Sequence, residues 1–220
     1  MSYVHSWPTE VRARALAGAL VRRIRPRHPG WPAVLGPELD QGRRLRLRPP
    51  RVEDAEEWAR VVRADQALLE PWWPSSEQSW AERSDVARWQ ERAWSASRTA
   101  RKGYLVPMVI EVDGRFGGEM VLDRVDRAHG TAELGAWVAS DFHGTSVARR
   151  SLRLMVRHAF AEVGLRRIVA PVGIGNRAAK LVLARNGFRK EGVLREHMHV
   201  GGKLLDHELW ALLPEDADWL

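Results

Sequence analysis

At 220 residues the chain is long enough to bury a sizeable core as one domain, or as one domain with an extension. Its 45% hydrophobic and 29% charged residues are ordinary for a globular protein, and no run approaches the roughly 18 apolar residues of a membrane-spanning helix. The lack of cysteine excludes a disulfide framework and a thiolate nucleophile, and the start has no secretory pattern, so a cytoplasmic protein is expected. The formal charge of +7 is unevenly placed: residues 1 to 30 hold six arginines and one glutamate, and the rest is nearly neutral.

Residues 9–25 read as an amphipathic helix, with Val11, Ala15, Leu16, Ala19, Leu20 and Ile24 opposite Arg12, Arg14, Arg22 and Arg23. Such a basic arm suits contact with nucleic acid or a ribosome, or simply solvates one helix face. Pro26 stops it, and the Pro/Gly-rich stretch to Gly42 reads as an irregular connector. A basic extension over 1–42, a catalytic domain over 43–213 and a tail over 214–220 follow.

Alternation over Arg44 to Arg48 predicts a strand, and the apolar stripe of Val52 to Ala64 a helix. A second helix is expected over Glu77 to Ser97, with at least two of Trp80, Trp89 and Trp94 facing a common interior. Between the helices lies a Pro-flanked turn whose Trp72 and Trp73 either wall a cleft or plug the core; at least one is expected in the cleft. Tyr104 to Glu111 and Arg115 to Val125 flank Asp113-Gly114, a pair suited to a two-residue hairpin turn. Then come a strand over Thr131 to Val138, a long helix from Ala148 ending at Gly164, a strand over Arg167 to Val172 and a helix over Arg177 to Arg185. A hairpin around Gly201-Gly202 completes the domain. His197, His199 and His207 fall along its strands without an HExxH pattern, so polar strand faces are expected and no metal.

The stretch between the Thr131 strand and its helix carries the chemistry. A strand ending just before a helix start exposes several unpaired backbone N–H groups, which can cradle a pyrophosphate. A nucleotide-hydrolase loop is excluded, because no Gly-Lys-Ser/Thr ending is present.

Four segments in order resemble the GNAT acetyltransferase superfamily: Glu133-Leu134-Gly135-Ala136-Trp137-Val138, His143-Gly144-Thr145-Ser146-Val147-Ala148, Asn176-Arg177-Ala178-Ala179 and Asn186-Gly187-Phe188-Arg189. Leu69-Glu70-Pro71-Trp72-Trp73-Pro74, and Arg195 followed by Gly201, Lys203 and Asp206, resemble the RimJ/RimL group within it. The resemblance covers roughly Arg43 to Leu213. It implies an α/β (α+β) fold with a mixed central sheet of about seven strands flanked by helices, and acetyl-CoA as cofactor.

It also implies residue roles. The pyrophosphate would lie on His143, Gly144, Thr145, Ser146, Val147, Ala148 and Arg149, with backbone N–H groups near Trp137 and Val138 polarising the thioester carbonyl. Asn176 would bond the pantetheine arm or cap its helix. Glu133 is the general-base candidate, the alternative being a strand residue paired with an arginine. Trp72 and Trp73 would meet the acceptor. The chain departs from the family loop at Asp141, which brings an anion, and at Ser146, which replaces a glycine. Leu183 stands where some members carry a tyrosine acid, leaving Ser151, His143 or water to protonate the thiolate. The expected acceptor is a protein N-terminus; the alternatives are a small amine or a CoA-binding module without turnover. A homodimer is possible, and no membrane association is expected.

Overall fold

A computed structural model of the protein describes residues 30–219, apart from residue 41. The basic helix expected over residues 9–25 lies outside the described residues. The core of the fold is an eight-stranded sheet in the order β1-β2-β3-β4-β5-β6-β8-β7. The strands are β1 (Leu35–Asp40), β2 (Arg43–Arg48), β3 (Val106–Val112), β4 (Arg115–Asp126), β5 (Thr131–Val138), β6 (Arg167–Gly173), β7 (Arg189–Val200) and β8 (Lys203–Leu212). The helices are α1 (Ala55–Ala64), α2 (Gln66–Leu69), α3 (Trp80–Arg83), α4 (Val86–Arg101), α5 (Val147–His158) and α6 (Arg177–Ala184).

The sheet has one strand more than the expected seven, and the extra strand corrects the reading of residues 26–42 as irregular throughout. β1 forms inside that stretch and pairs antiparallel with β2, with Leu35 opposite Leu47 and a register shift before Glu38. That irregularity takes up Gly36 and Pro37, and a sheet edge is where a strand tolerates proline. The charged residues of β2 reach inward to a buried network: Arg48 grips Asp54 through two hydrogen bonds of 2.9 and 2.7 Å, and Glu111 accepts from Arg46 and Arg48 at 2.6 and 2.5 Å. Both carboxylates of this network therefore face a guanidinium, as burial of charge requires.

The single helix expected over 77–97 is two. Ser79 and Glu82 form a reciprocal cap that starts α3, and the Ser84 hydroxyl donates to the Trp80 carbonyl at 2.7 Å where it ends. α4 then begins after Asp85, so Trp80 and Trp89 point into the core, whereas Trp94 is exposed beneath Arg98. The Asp113-Gly114 hairpin forms as expected, both residues having positive φ. After α5 the chain makes one π-helical turn, Ala159–Val163, and stops at left-handed Gly164.

The pairing that matters most is between β5 and β6. They run parallel, joined through α5, and are in register only at Thr131, Ala132 and Glu133 against Arg167, Ile168 and Val169. Beyond Glu133, β5 stays paired with β4 and β6 with β8, but the two strands part. The sheet is thus opened along residues 134–138 and 170–173, leaving backbone groups on the facing edges outside the ladder. Among the described residues no helix is long and apolar enough to cross a membrane.

Candidate active site

The two faces of the sheet at the parted strands carry different equipment. On β6, Val172 lies opposite Glu208, and Glu208 accepts from Lys180 of α6 at 3.3 Å, so α6 covers that face. Gly173, one residue on, points the other way, with Trp72 against it: a Cβ there would meet the indole at 3.0 Å. Glycine at 173 is what lets the ring lie on the strand. Helices therefore flank one face of the opening and tryptophans the other.

On the helix side, the chain leaves β5 and enters α5 through residues 139–146. A cavity of about 330 Å³ lies there, walled by Thr145, Ser146, Ala148 and Arg149 from the helix start and by Leu181, Val182 and Arg185 from α6. Gly144 turns the loop with a φ of 73°, and a Cβ at that position would meet nothing within 4 Å, so the glycine answers to backbone angle rather than to space. The Thr145 hydroxyl accepts the Val147 N–H at 3.3 Å, while helix geometry leaves the Ala148 and Arg149 N–H groups without intrahelical acceptors. Among the described residues neither Arg149 nor Arg185 has an ion-pair partner, and no carboxylate lines the cavity. Two guanidiniums and a helix start suit an anion such as a diphosphate.

The two departures at the loop take different places. Asp141 does not confront the cavity with a lone charge, because its carboxylate binds Arg115 at 2.7 Å. Ser146 sits at a φ of −80°, a conformation open to any residue, at the wall of the cavity. His143 directs Nε2 at the Val138 carbonyl, 2.9 Å away, and so ties the loop to the end of β5. The Asn176 side chain caps α6 by accepting the Ala179 N–H at 3.1 Å.

On the tryptophan side, one loop crosses the opening. Trp73 packs on Trp137 of β5 with ring centroids 6.0 Å apart, and Trp72 rests on Gly173 of β6 and on Gly175. The same loop is sewn to the tip of the β7–β8 hairpin: the Ser75 N–H donates to the His199 carbonyl at 2.9 Å and the Gly201 N–H to the Trp73 carbonyl at 3.0 Å. Pro74 bridges to Val200. Glu133 lies at the fork where the strands part, half-buried, its carboxylate 2.7 Å from the Arg124 guanidinium. The strand residue paired with an arginine and the carboxylate at the fork are the same residue.

Leu183 is buried in the core, and the Ser151 hydroxyl is fully buried without a hydrogen-bond partner among the described residues. His197 and His207 stack edge-on at 5.3 Å on the strand faces, and His199 is exposed. Among the described residues no group of three or more His, Asp or Glu side chains is arranged to hold a metal.

The Acetyltransferase (GNAT) domain family matches residues 44–189, which is most of the sheet together with the whole opening. The chain belongs to the GNAT acetyltransferase family. Within it, the structure of Mycobacterium smegmatis RimJ in complex with CoA-disulfide is 38% identical, covers 87% of this chain and 92% of that one, and superposes with a TM-score of 0.84. The Escherichia coli (strain K12) ribosomal-protein-serine acetyltransferase is 28% identical over 112 residues, 50% of this chain and 62% of that protein. The acetyltransferase from Salmonella typhimurium that modifies the N-terminal serine of ribosomal protein L7/L12 shares the fold, with a TM-score of 0.71 at 20% identity over 82% of this chain and 99% of that one. The RimJ/RimL-like grouping and the GNAT fold expected from the motifs therefore stand.

In this GNAT enzyme three residues outside the motifs shape the opening. Arg185 completes the cavity wall from the far end of α6. Asp65, at the end of α1, accepts both donors of Ser140 at the loop entrance. Glu119 of β4 binds the Trp137 indole at 2.9 Å. None has a local signature: their partners lie in distant segments, and an isolated Asp, Glu or Arg reads as surface charge.

Proposed function

We propose that this GNAT acetyltransferase moves the acetyl group of acetyl-CoA to the α-amino group of a protein N-terminus, of the ribosomal-protein type, by direct attack in a ternary complex. The observation that carries the reading is the two-sided opening between β5 and β6. An anion-suited cavity lies on one face, an aromatic loop on the other, and Glu133 at the fork. The relatives add the acceptor class, since the Salmonella typhimurium neighbour modifies an N-terminal serine of a ribosomal protein and the Escherichia coli relative is a ribosomal-protein-serine acetyltransferase.

Acetyl-CoA supplies an acyl group already activated as a thioester. The residues present fit it: Arg149, Arg185 and the loop from His143 to Ala148 would meet its phosphates, Asn176 its pantetheine arm, and backbone N–H groups of the free edge of β5 near Trp137 and Val138 its thioester carbonyl. Trp72 and Trp73 wall the acceptor's approach. Glu133 takes the proton of the incoming amine through water as the new C–N bond forms and the C–S bond breaks, and water returns a proton to the departing thiolate. No covalent bond to the protein is needed. An α-amine with a pKa near 8 is roughly a tenth neutral at pH 7, whereas a lysine near 10.4 is well under a thousandth, so a carboxylate shared with Arg124 suffices for a chain terminus.

The test is purified protein with acetyl-CoA and Ala- or Ser-starting decapeptides, read by peptide mass and thiol release. Acetylation confined to the α-amine supports the reading; preferential acetylation of spermine or of internal lysines overturns it. For the donor alone, acetyl-CoA at 100 times its dissociation constant should add about 2.7 kcal/mol of stability. No thermal shift at millimolar acetyl-CoA would sink the donor assignment.

A further inference from the structure

The face opposite the cavity holds a chain of touching rings that leads from the interior to the opening. Trp58 packs on Trp89 at 5.4 Å, Trp89 on Phe116 at 5.6 Å, Phe116 on Trp137 at 5.8 Å, Trp137 on Trp73 at 6.0 Å and Trp73 on Trp80 at 5.6 Å. Rings held only by van der Waals contact keep their positions loosely at a solvent boundary, and Trp137 and Trp73 are both half-buried there. Glu119 closes the chain. Its Oε2 accepts the indole N–H of Trp58 at 3.1 Å and that of Trp137 at 2.9 Å. Its Oε1 accepts from Arg92 at 3.1 Å, and the same guanidinium lies over the Trp58 and Trp89 rings. One oxygen thus pins the innermost ring to the ring that stands on the parted strand.

Over residues 134–138 the pinned strand, although inside the sheet, has a ladder on one side only. Beyond Glu133, β5 is laddered to β4 alone, and Glu119 is the register partner of Trp137 across that ladder. The side-chain bond adds to the backbone pairing at that pair of residues. Without it the half-buried Trp137 indole would lose the acceptor of its N–H and have room to rotate toward the opening, carrying Trp73 with it.

We infer that Glu119 is a positioning residue for the acceptor: it fixes Trp137, and through it the Trp73 wall, on the side of β5 from which the amine approaches. The inference rests on the acetyl-transfer reading for its kinetic consequence and on the bonding geometry alone for its structural one, so its test has both arms. In the kinetic arm, Glu119→Ala raises the acceptor KM for an Ala-starting decapeptide about tenfold and leaves the acetyl-CoA KM within about twofold. Glu119→Gln, whose amide oxygen accepts both indoles, restores the acceptor KM to within about threefold. A part that merely held the fold together would disturb both substrates alike and would not be rescued so selectively. In the structural arm, amide exchange of residues 134–138 without any acceptor is faster in Glu119→Ala than in wild type, and near wild type in Glu119→Gln. Arg92→Ala, which leaves both indole bonds in place, changes the acceptor KM by less than about threefold. Unchanged exchange in Glu119→Ala, or parallel rises in both KM values, overturns the inference. A wild-type protein that acetylates no peptide, yet shows the exchange difference, fails the functional reading and leaves the pinning of β5 established.

Discussion

Asp65 accepts both the backbone N–H and the hydroxyl of Ser140, at 2.8 and 2.5 Å. The two residues stand 75 positions apart, and the contact joins the end of α1 to the entrance of the loop that walls the cavity. Asp65 is only 5% exposed, so the carboxylate is held by these donors rather than by water. Asp65→Ala leaves both Ser140 donors unmatched, at a cost of about 2 kcal/mol. The freed loop should also weaken acetyl-CoA binding about tenfold while the acceptor KM changes less. Calorimetric titration with acetyl-CoA and urea unfolding check the two consequences separately; unaltered affinity would show that the tether serves stability alone.

Glu133→Gln keeps the shape of the fork and removes the proposed base. The kcat for an α-amine substrate should fall about 100-fold near pH 7, within the range for general-base catalysis. The deficit should shrink above pH 8, where most of the α-amine is already neutral. A pH–rate profile of both proteins reads this directly, and a constant deficit from pH 6 to 9.5 would count against the assignment.

Removing Arg185 takes from the cavity wall one of two cations that have no ion-pair partner among the described residues. Arg185→Ala and Arg149→Ala should each weaken CoA about tenfold at low salt and lessen the decline of affinity with added salt, as expected for charge-assisted contacts to phosphate. Titrations at two ionic strengths decide. Variants that bind CoA as tightly as wild type would place the phosphates elsewhere.

Glu111 gives a pH prediction away from the site. Burial raises its pKa, but hydrogen bonds from Arg46 and Arg48 outweigh that and hold the carboxyl below its ordinary value. A depressed carboxylate contributes stability above its unfolded pKa of about 4.5 and loses it as pH falls through the lower folded value. Glu111→Gln leaves the buried Arg48 with one carboxylate partner fewer and should cost about 3 kcal/mol at pH 7. The gap between the two proteins should narrow below pH 4. Urea titrations at pH 7 and 3.5 measure it; a gap of the same size at both would contradict the account.

What the sequence disclosed follows the range of the forces involved. Asp113-Gly114 announced its hairpin because the required backbone angles are a property of those two residues. The stretch from Glu133 to Ala148 and the cap at Asn176 were legible for the same reason, being strand, loop and helix start in one run of chain. Four features were hidden. β1 forms where prolines and glycines argue for coil, because β2 supplies an edge to pair with. The break between α3 and α4 rests on Ser84 bonding back to Trp80, which a continuous apolar period conceals. Asp65 and Glu119 take their meaning from partners brought near by folding, so their letters alone read as surface charge. The tryptophans divided accordingly: Trp89 is core, while Trp72 and Trp73 stand over the parted strands.

The seam between the Trp72–Trp73 loop and the Gly201 hairpin tip is made chiefly of main-chain hydrogen bonds, with Gly201 lying against the Pro71 carbonyl. Its frame is therefore indifferent to most side-chain exchange. On the proposed acceptor role of Trp72, sequence drift there would retune which first residue is accommodated, while the main-chain seam keeps its span. On that proposal recognition is separate from admission: the indoles would choose among guests, and the peptide backbone would decide how wide the door stands.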